Sequence, residues 1–497
     1  KSAMNLYREH PLKIFKHTGK YIWVLIFPII RIIQKLSLDL DSLAEWFSGV
    51  SYTLALLVLI LLFGFFRWYF LFFRFGEKGI TVRSGYFIVT ETFIPYDSFS
   101  TTTTEASFYL RPLKATRFRV NTCSGIFGKS NISLLIRRRD LDGLHRHIPT
   151  VDPKNDQFSK TKPKALLMVI FSLIFSNSIS GFVYIILFLF QTRQITMDLM
   201  QNELQNFIHL ADSLTVHIAL KIPSGALVIM IALAATWLLS FILNLLRYAR
   251  FTMYDDPNSL KIQMGAITRR SYFINHHKIN YIDIRQSLLM KIFRLSSIHI
   301  SCSGYGNQKN ELPVLFPILM PKQEENLLDL LKFKKYKKIK RKNHNPDEYY
   351  KSPNKKAFWT YCGIPSYFIL GIAAASVIAW LLYPSFSDMI LFVTIMLEIP
   401  FVWLVIVKIT ALFSSGVIIE DNFCYVKYSR FFAFHTILVE KDKLVKVQIV
   451  QDYFDKRFGR CRLDFYFSAE NPKINKIKGM NIEDAKMIIE KFHINEN

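Results

Sequence analysis

The chain has 497 residues, of which 51% are hydrophobic and 15% are aromatic, and 44 of them are phenylalanine. Such a composition is rare in a water-soluble protein of this size, and it predicts long apolar segments. The formal net charge of +25 favours anionic partners such as lipid headgroups or nucleic acid. The five cysteines are widely scattered and form no CxxC motif, so we interpret them as reduced thiols and not as a disulfide framework.

Six apolar segments predict membrane-spanning helices, because a helix needs about 20 apolar residues to cross a bilayer. In chain order they are residues 21–30, 52–73, 165–190, 225–246, 358–383 and 389–413. The last segment contains Glu398 and Lys408. The first is short and is followed by Arg31; a cleaved signal peptide is the alternative there, but no small-residue cleavage site follows.

The spans form three pairs, and the charges around them differ in sign. The links within the pairs, residues 34–51, 191–224 and 384–388, are mainly acidic, whereas the stretch from Arg247 to Lys356 alone holds 22 lysines and arginines. Positive charge collects on the cytoplasmic side of membrane proteins. We therefore expect a multi-pass protein of the cytoplasmic membrane, with both termini and the long segments in the cytoplasm and the three links outside.

Each pair of spans is followed by a soluble-looking segment, and the three segments share a repeat of 27 positions. Residues 94–120, 274–300 and 439–465 align without a gap. One position is basic in all three units, as Arg111, Lys291 and Lys456. Alternating apolar positions around the block predict antiparallel strands, and an apolar stripe after position 481 predicts a closing helix. Each unit is thus expected to be a small β barrel or sandwich with a C-terminal helix.

Two adjacent histidines in the second block, His276 and His277, raise the question of a metal or catalytic site. They correspond to non-histidine residues at positions 96–97 and 441–442, so no ligand set recurs. A metal site needs several convergent donors, and adjacent residues on a strand point to opposite faces. The sequence also contains no nucleophile, phosphate-loop or paired-carboxylate motif. We therefore expect no enzyme activity, no cofactor, no metal and no catalytic residue.

The repeated block has the form I-x-x-x-K-I followed by Q-S-x-x-x-K/R. It is carried in the second unit by Ile274, Lys278, Ile279, Gln286, Ser287 and Lys291, and in the third by Lys443, Leu444, Gln451 and Lys456. The opening stretch 8–12 (REHPL) fits the same pattern, whereas the first unit departs from it at 101–104 and 106. These features resemble the bacterial PH-like domain membrane proteins of the YdbS/YdbT type. The three units match the longer, YdbT-like branch.

The resemblance implies a PH-like fold for each soluble unit and a bacterial host. Some members of this family protect bacteria against leaderless antimicrobial peptides, which are cationic, helical and membrane-active. The expected fold is an α+β membrane protein with six transmembrane helices in three hairpins, each followed by a PH-like antiparallel β domain with a C-terminal helix. The expected segments are a cytoplasmic N-terminal segment (1–20), hairpin 1 (21–73), PH-like domain 1 (74–150), hairpin 2 (164–246, with an outer amphipathic link 191–224), PH-like domain 2 (247–336), a basic linker (337–356), hairpin 3 (357–413) and PH-like domain 3 (414–497).

Three groups of charged residues are candidate sites. Acidic residues of the outer links, which have apolar residues at helical spacing, could attract a cationic peptide: Asp39, Asp41, Glu45, Asp198, Glu203 and Asp212. Glu398 and Arg31 are a candidate polar site inside the membrane. A basic run is a candidate contact for anionic lipid: Lys332, Lys334, Lys335, Lys337, Lys338, Lys340, Arg341 and Lys342. For the acidic links and for the basic run, the alternative is charge asymmetry that merely sets the topology.

The leading hypothesis is an immunity protein that protects the cell against a cationic membrane-active peptide of the leaderless bacteriocin type. One alternative is a membrane scaffold whose PH-like domains recruit a protein partner, such as a shorter, one-unit relative. The other is a transporter that uses Glu398. Expected partners are membrane lipids and such a peptide or relative. Nucleic acid is not expected, because the basic run is tethered between spans and no readout motif accompanies it.

Overall fold

The computed structural model of the chain describes residues 6–16, 18–19, 21, 40–86, 88–123, 130–140, 159–174, 224–256, 259–306, 313–330, 350–419, 422–469 and 474–493. By internal contacts, the chain divides into two compact units. The first contains residues 1–160, 254–263 and 267–278, and the second contains the remaining residues. Three repeats of antiparallel strands run through these units in chain order.

The first repeat is a sandwich of two antiparallel sheets. One sheet contains β1 (Tyr7–Arg8), β2 (Phe72–Phe75), β3 (Gly79–Ser84) and β4 (Thr90–Pro95). The other strands of the repeat are β5 (Phe99–Ala106), β6 (Ala115–Thr122) and β7 (Ile132–Arg137). Alternate residues of both sheets form one apolar core: Phe73, Ile80, Ile94, Phe99, Phe118, Val120, Ile132, Leu134 and Ile136. This alternation is the pattern expected for half-buried strands.

The second and third repeats have the same strand order. The second contains β8 (Ser159–Thr161), β9 (Thr252–Asp255), β10 (Ser259–Met264), β11 (Arg269–Asn275), β12 (Ile279–Ser287), β13 (Ser296–Cys302) and β14 (Val314–Leu319). The third contains β15 (Tyr350–Lys351), β16 (Gly416–Ile419), β17 (Phe423–Arg430), β18 (Ala433–Glu440), β19 (Leu444–Val450), β20 (Arg460–Phe467) and β21 (Asn475–Asn481). The expected antiparallel β domains are therefore present, and the third has an apolar core to which both of its sheets contribute.

Neighbouring repeats share sheets. In the first unit β5 pairs with β11, so that one seven-stranded sheet has the order β7-β6-β5-β11-β10-β9-β8. In the second unit β12 pairs with β18, which gives the order β14-β13-β12-β18-β17-β16-β15. The last three strands form a separate sheet, β19-β20-β21. Each of these two pairings, which we call joints, links the fifth strand of one repeat to the fourth strand of the next.

Nine α-helices accompany the strands in the part of the chain that the structure describes. They are α1 (Leu40–Tyr69), α2 (Ala165–Ile174), α3 (Ser224–Tyr248), α4 (Leu288–Ile292), α5 (Pro321–Leu330), α6 (Phe358–Leu382), α7 (Ser387–Ser414), α8 (Tyr453–Arg457) and α9 (Ile482–His493). The last one packs Ala485 and Ile488 into the core of the third repeat. It is the closing helix that the apolar stripe predicts.

Two stretches of helix are long and apolar enough to cross a membrane, residues 355–382 and 393–414, counting described residues only. Shorter apolar helical stretches cover residues 55–69 and 234–248. The expected first span lies outside the described residues apart from position 21, and the third is described only as far as position 174. Within the described residues the structure therefore shows two helical stretches of spanning length and apolar composition, where the sequence predicts six spans.

The pairs of predicted spans lie, in chain order, between adjacent strands of a sheet. Tyr7 on β1 faces Phe73 on β2, although the first pair of predicted spans separates them in sequence. Tyr350 on β15 likewise faces Ile418 on β16, and β8 is the neighbour of β9. The structure therefore adds three short strands to the PH-like domains from the segments that precede the helices. These strands lie outside the expected limits of those domains, 74–150, 247–336 and 414–497.

Candidate functional site

The predicted site residues are only partly within the described structure. Asp41 and Glu45 lie near the start of α1. Glu398 is half-buried in α7, two residues before Pro400. The other predicted site residues lie outside the described residues: Arg31, Asp39, Asp198, Glu203, Asp212, Lys332, Lys334, Lys335, Lys337, Lys338, Lys340, Arg341 and Lys342.

Glu398 and Lys408 lie on the same helix but are not brought together. Ten residues of helix separate them by about 15 Å along the axis. The ammonium group of Lys408 instead donates a hydrogen bond of 3.1 Å to the Ser429 hydroxyl at the end of β17. Lys408 therefore anchors the third PH-like domain to the helix that enters it.

The turn between the third and fourth strands, or the strand end beside it, contacts the last part of the entering helix in every repeat. In the first repeat the rings of Tyr86 and Phe70 are 4.7 Å apart. In the second the backbone N–H of Gly265 donates to the carbonyl of Ala249 at 2.8 Å. In the third the contact is the Lys408–Ser429 hydrogen bond. Because these helices are apolar, the turns lie at the expected membrane surface.

These turns carry exposed apolar side chains, and we call them the apolar turns (residues 85–89, 265–268 and 431–432). Ile88 is 80% exposed and Phe431 is 70% exposed. Tyr86, Val89, Ile267 and Phe432 are also exposed. Exposed apolar groups clustered on a surface are typical of an interaction site.

A second set of exposed apolar residues follows the fifth strand of each repeat. We call these segments the apolar fingers (residues 107–114, 288–293 and 453–458). Their exposed members are Phe108, Tyr109, Leu113, Leu289, Ile292, Phe293, Tyr453, Phe454 and Phe458. Each finger also contains the basic residue that recurs in the sequence block. Aromatic rings next to a cation are typical of the membrane–water interface.

The finger of the second repeat shows its position relative to a helical pair. Leu288 packs in one cluster with Tyr361 near the start of α6 and with Val407, Ala411 and Leu412 near the end of α7. The ammonium group of Lys291 lies 4.3 Å from the centroid of the Phe434 ring, which belongs to the same cluster. The finger therefore packs against the ends of α6 and α7.

A cavity of about 320 Å³ lies beneath the finger of the first repeat. Its lining includes the apolar residues Leu12, Tyr109 and Leu113 and the basic residues Lys13, Lys16 and Arg117. Lys16 is still exposed to solvent, but partial desolvation at the cavity, followed by the charges of Arg117, Lys13 and Arg119, lowers its pKa to about 8. A cavity that combines basic groups with apolar walls can accommodate an anionic amphiphile, with its charge near the basic groups and its apolar part against the walls.

The opening stretch of the chain builds one wall of this cavity. The buried carboxylate of Glu9 accepts a hydrogen bond of 2.6 Å from Lys13 and one of 2.9 Å from the backbone N–H of Leu135. The indole N–H of Trp68 donates to the carbonyl of Glu9 at 2.9 Å. The sequence pattern marks residues 8–12 as family-like but does not predict the cavity, whose lining residues are far apart in the chain.

Each joint contains a buried carboxylate. Glu105 on β5 lies 2.7 Å from the guanidinium of Arg119 and 3.6 Å from that of Arg270 on β11. Asp283 on β12 lies 2.6 Å from Arg285 and 3.1 Å from His435. Glu105 thus connects β5 with β6 and β11, and Asp283 connects β12 with β18 through His435, while Arg285 approaches Asp283 from the same strand. We therefore assign these carboxylates a structural role that no local sequence motif indicates.

The paired histidines of the second block have ordinary contacts. His276 Nε2 lies 3.2 Å from the Asp255 carboxylate and 2.9 Å from the carbonyl of Asp256. No group of three or more potential metal ligands occurs within the described segments. His276 therefore fastens the end of β11 to the end of β9.

Comparison with known proteins identifies the class of protein to which these domains belong. The family model described as bacterial PH domain matches residues 28–149 and 206–338, just over half of the chain. The chain therefore belongs to the bacterial PH domain family.

A stretch of 106 residues is 28% identical to the UPF0699 transmembrane protein YdbT of Bacillus subtilis (strain 168). The match covers 21% of this chain and 22% of that protein, so the chain spans only about a fifth of the length of this relative. No solved structure matches the chain. The resemblance to the YdbT-type membrane proteins is thus confirmed.

Proposed function

We propose that the chain is a multi-pass protein of the bacterial cytoplasmic membrane, with six spanning helices in three hairpins and both termini in the cytoplasm. The pairings of Tyr7 with Phe73 and of Tyr350 with Ile418 support this topology. A chain that leaves a sheet and returns to the same sheet crosses the membrane an even number of times. The excess of lysine and arginine in the segments that form the domains favours their cytoplasmic location.

Given this topology, we propose that the protein protects the cell against a cationic membrane-active peptide of the leaderless bacteriocin type. The observation that carries the proposal is the acidic character of the outer links, which contrasts with a chain of net charge +25. A cationic amphipathic peptide is attracted to such a surface and is captured or excluded there. The PH-like domains pack against the cytoplasmic ends of the spans through the apolar turns and fingers, and so hold the spans in position.

The test is tolerance of a sensitive bacterial strain that expresses the full chain. Expression should raise the minimal inhibitory concentration of a leaderless cationic peptide, and unchanged killing by several such peptides would remove the proposal. Neutral amides at the six outer acidic positions, 39, 41, 45, 198, 203 and 212, should weaken protection. A matched control neutralises six exposed acidic residues of the PH-like domains: Glu77, Asp97, Asp442, Asp452, Glu483 and Glu490.

Two further outcomes separate the mechanism from the function. Full protection after the six outer substitutions would overturn electrostatic capture but leave the protective function intact. Glu398→Gln tests proton-linked export, because that mechanism needs an ionisable group within the span. Capture at the outer face predicts that this variant protects as well as the unaltered protein, whereas loss of protection in a variant that reaches the membrane at normal levels would favour a transporter.

The second candidate function is a membrane scaffold whose PH-like domains recruit a protein partner, such as a one-unit relative. The joints favour it, because both show that the fifth strand of one PH-like domain binds the fourth strand of another. Co-purification from native membranes tests it. A stoichiometric PH-like partner would support recruitment, and a chain isolated as a monomer from membranes at native abundance would contradict it.

A further inference from the structure

Among the residues that the structure describes, two strands of the repeats have no partner on the edge where their equivalents are paired. The fifth strands β5 and β12 each pair with the fourth strand of the following repeat, and β19 is the fifth strand of the last repeat. The fourth strands β11 and β18 are paired in the same way, and β4 is the fourth strand of the first repeat. Within the described residues β19 pairs only with β20, and β4 only with β3.

The two joints have the same register. Thr101 faces Ile274 in the first joint, and Tyr281 faces Val439 in the second. In both cases the eighth residue of one 27-residue block faces the first residue of the next block. The same rule applied to β19 places its Lys446 opposite Ile94, the first residue of the first block.

β19 has the same backbone irregularity as the two paired fifth strands, β5 and β12. A register shift occurs between Phe99 and Thr101 where β5 meets β6, and between Ile279 and Tyr281 where β12 meets β13. β19 has its shift at the equivalent place, between Leu444 and Lys446, where it meets β20. Such irregularities set the twist of a strand. The exposed edge of β19 therefore has the backbone form that accepts a fourth strand.

Exposure of side chains gives independent support. Phe93 on β4 corresponds to Phe273 on β11 and to Leu438 on β18. Phe93 is 57% exposed, whereas Phe273 is 8% and Leu438 is 0% exposed. An apolar side chain that is covered in two repeats is thus uncovered in the first. On the other edge, Val445 is 70% exposed. Long unprotected strand edges with apolar residues favour pairing with another chain.

We propose that β19 of one copy of this protein pairs with β4 of a second copy, in the antiparallel register of the two joints. Lys446 then faces Ile94, Val447 faces Phe93 and Gln448 faces Thr92. The remaining pairs are Ile449 with Glu91 and Val450 with Thr90. No like charges face each other, and the Val447–Phe93 pair covers the exposed ring. The equivalent strand edges already pair in this register between repeats of one chain. The matching partner for β19 and β4 is therefore a second copy of the same chain.

The resulting contact is head-to-tail, since each copy contributes a different edge. Copies embedded in the same membrane present their PH-like domains on the same side, as the repeats within one chain do under the proposed topology. The inference rests on the joints, on the shape of β19 and on the exposed strand edges, and it does not require the peptide-protection function. It deepens the scaffold candidate by naming a second copy, in place of a one-unit relative, as the partner.

Cysteine cross-linking in membranes tests the contact directly. Two differently tagged full-length copies are co-expressed in a Cys123→Ser background; the four remaining cysteines are buried. One copy carries Thr92→Cys and the other Gln448→Cys, which are exposed positions expected to face each other. Mild oxidation should give a disulfide-linked pair that contains both tags. Thr90→Cys paired with Gln448→Cys is the control, because a displacement of two residues moves the thiols apart by about 7 Å along the strand.

Charge variants test the register without disturbing the fold, because both positions are exposed. A chain with Thr92→Lys and Gln448→Lys places like charges opposite each other and should be monomeric in mild detergent by light scattering. A chain with Thr92→Glu and Gln448→Lys should assemble again. The proposal is overturned if the unaltered chain is monomeric and the facing cysteines do not cross-link. It is also overturned if the thiol at position 448 links to a different polypeptide, such as a one-unit relative.

Discussion

The carboxylate of Asp283 on β12 lies 3.1 Å from Nδ1 of His435 on β18, so that a buried pair connects two repeats. Arg285 approaches the same carboxylate to 2.6 Å. Burial alone would raise the pKa of Asp283, but the charges of His435 and Arg285 outweigh it and hold that pKa well below its ordinary value. The ionised carboxylate therefore stabilises the joint at neutral pH.

Replacing this carboxylate should weaken the second unit. Asp283→Asn leaves Arg285 without its buried counter-charge, and such a loss costs about 3–5 kcal/mol. We expect a lower unfolding temperature for the full chain in detergent and easier proteolysis of the domains. Asp442→Asn, at an exposed turn of the third repeat, is the control and should leave the unfolding temperature unchanged. Equal stability of the two variants would contradict the role of Asp283.

Two glycines of the third repeat provide a matched test of close packing. Gly479 and Gly459 both have positive φ, 70° and 62° respectively. A Cβ at Gly479 would collide with the Cβ of Ala357, just before α6, whereas a Cβ at Gly459 meets nothing within 4 Å. Gly479→Ala should therefore destabilise the chain by clearly more than the ~1–2 kcal/mol expected from backbone strain alone. Chemical unfolding of both variants measures the difference, and equal losses would refute the packing argument.

Under the proposed topology, the two ends of β18 lie at different depths relative to the membrane. Phe431 lies at an apolar turn, whereas Asp442 follows the far end of the strand, about 25 Å away. An environment-sensitive dye on Phe431→Cys, in a Cys123→Ser background, should show blue-shifted emission and strong quenching by spin-labelled lipid. The same dye on Asp442→Cys should be quenched weakly. Similar quenching at the two positions would contradict the assignment of the apolar turns to the lipid interface.

The sequence predicts the repeated antiparallel domain and its closing helix, because 27 aligned positions carry the strand alternation three times. It does not predict β1 or β15, since a strand of two residues, such as Tyr7–Arg8, shows no periodicity. The joints also escape prediction, because the edge that each strand pairs with depends on tertiary packing. Exposed apolar residues of the fingers, such as Phe108 and Tyr453, align in the repeat, but their exposure becomes visible only in the structure.

The cavity of the first repeat predicts a pH-dependent effect at Lys16. Partial desolvation and the neighbouring charges of Arg117, Lys13 and Arg119 lower the pKa of Lys16 to about 8, against 10.5 for an ordinary lysine. The unfolded chain therefore holds this proton more tightly than the folded chain. The charge of Lys16 destabilises the fold fully below pH 8, and this cost fades as the pH rises from 8 to 10.5.

Lys16→Met removes this repulsion, so the variant should unfold at a higher temperature than the unaltered chain at pH 7. The gain should shrink as the pH rises above about 8, because Lys16 of the unaltered chain then loses its proton on its own. Lys78→Met, at an exposed turn, is the control and should give no pH-dependent gain. In nanodiscs of anionic phosphatidylglycerol the Lys16→Met gain should also diminish, because a headgroup in the cavity offsets the positive charges. A gain that is the same at pH 7 and pH 10 would show that the charge of Lys16 is not its source.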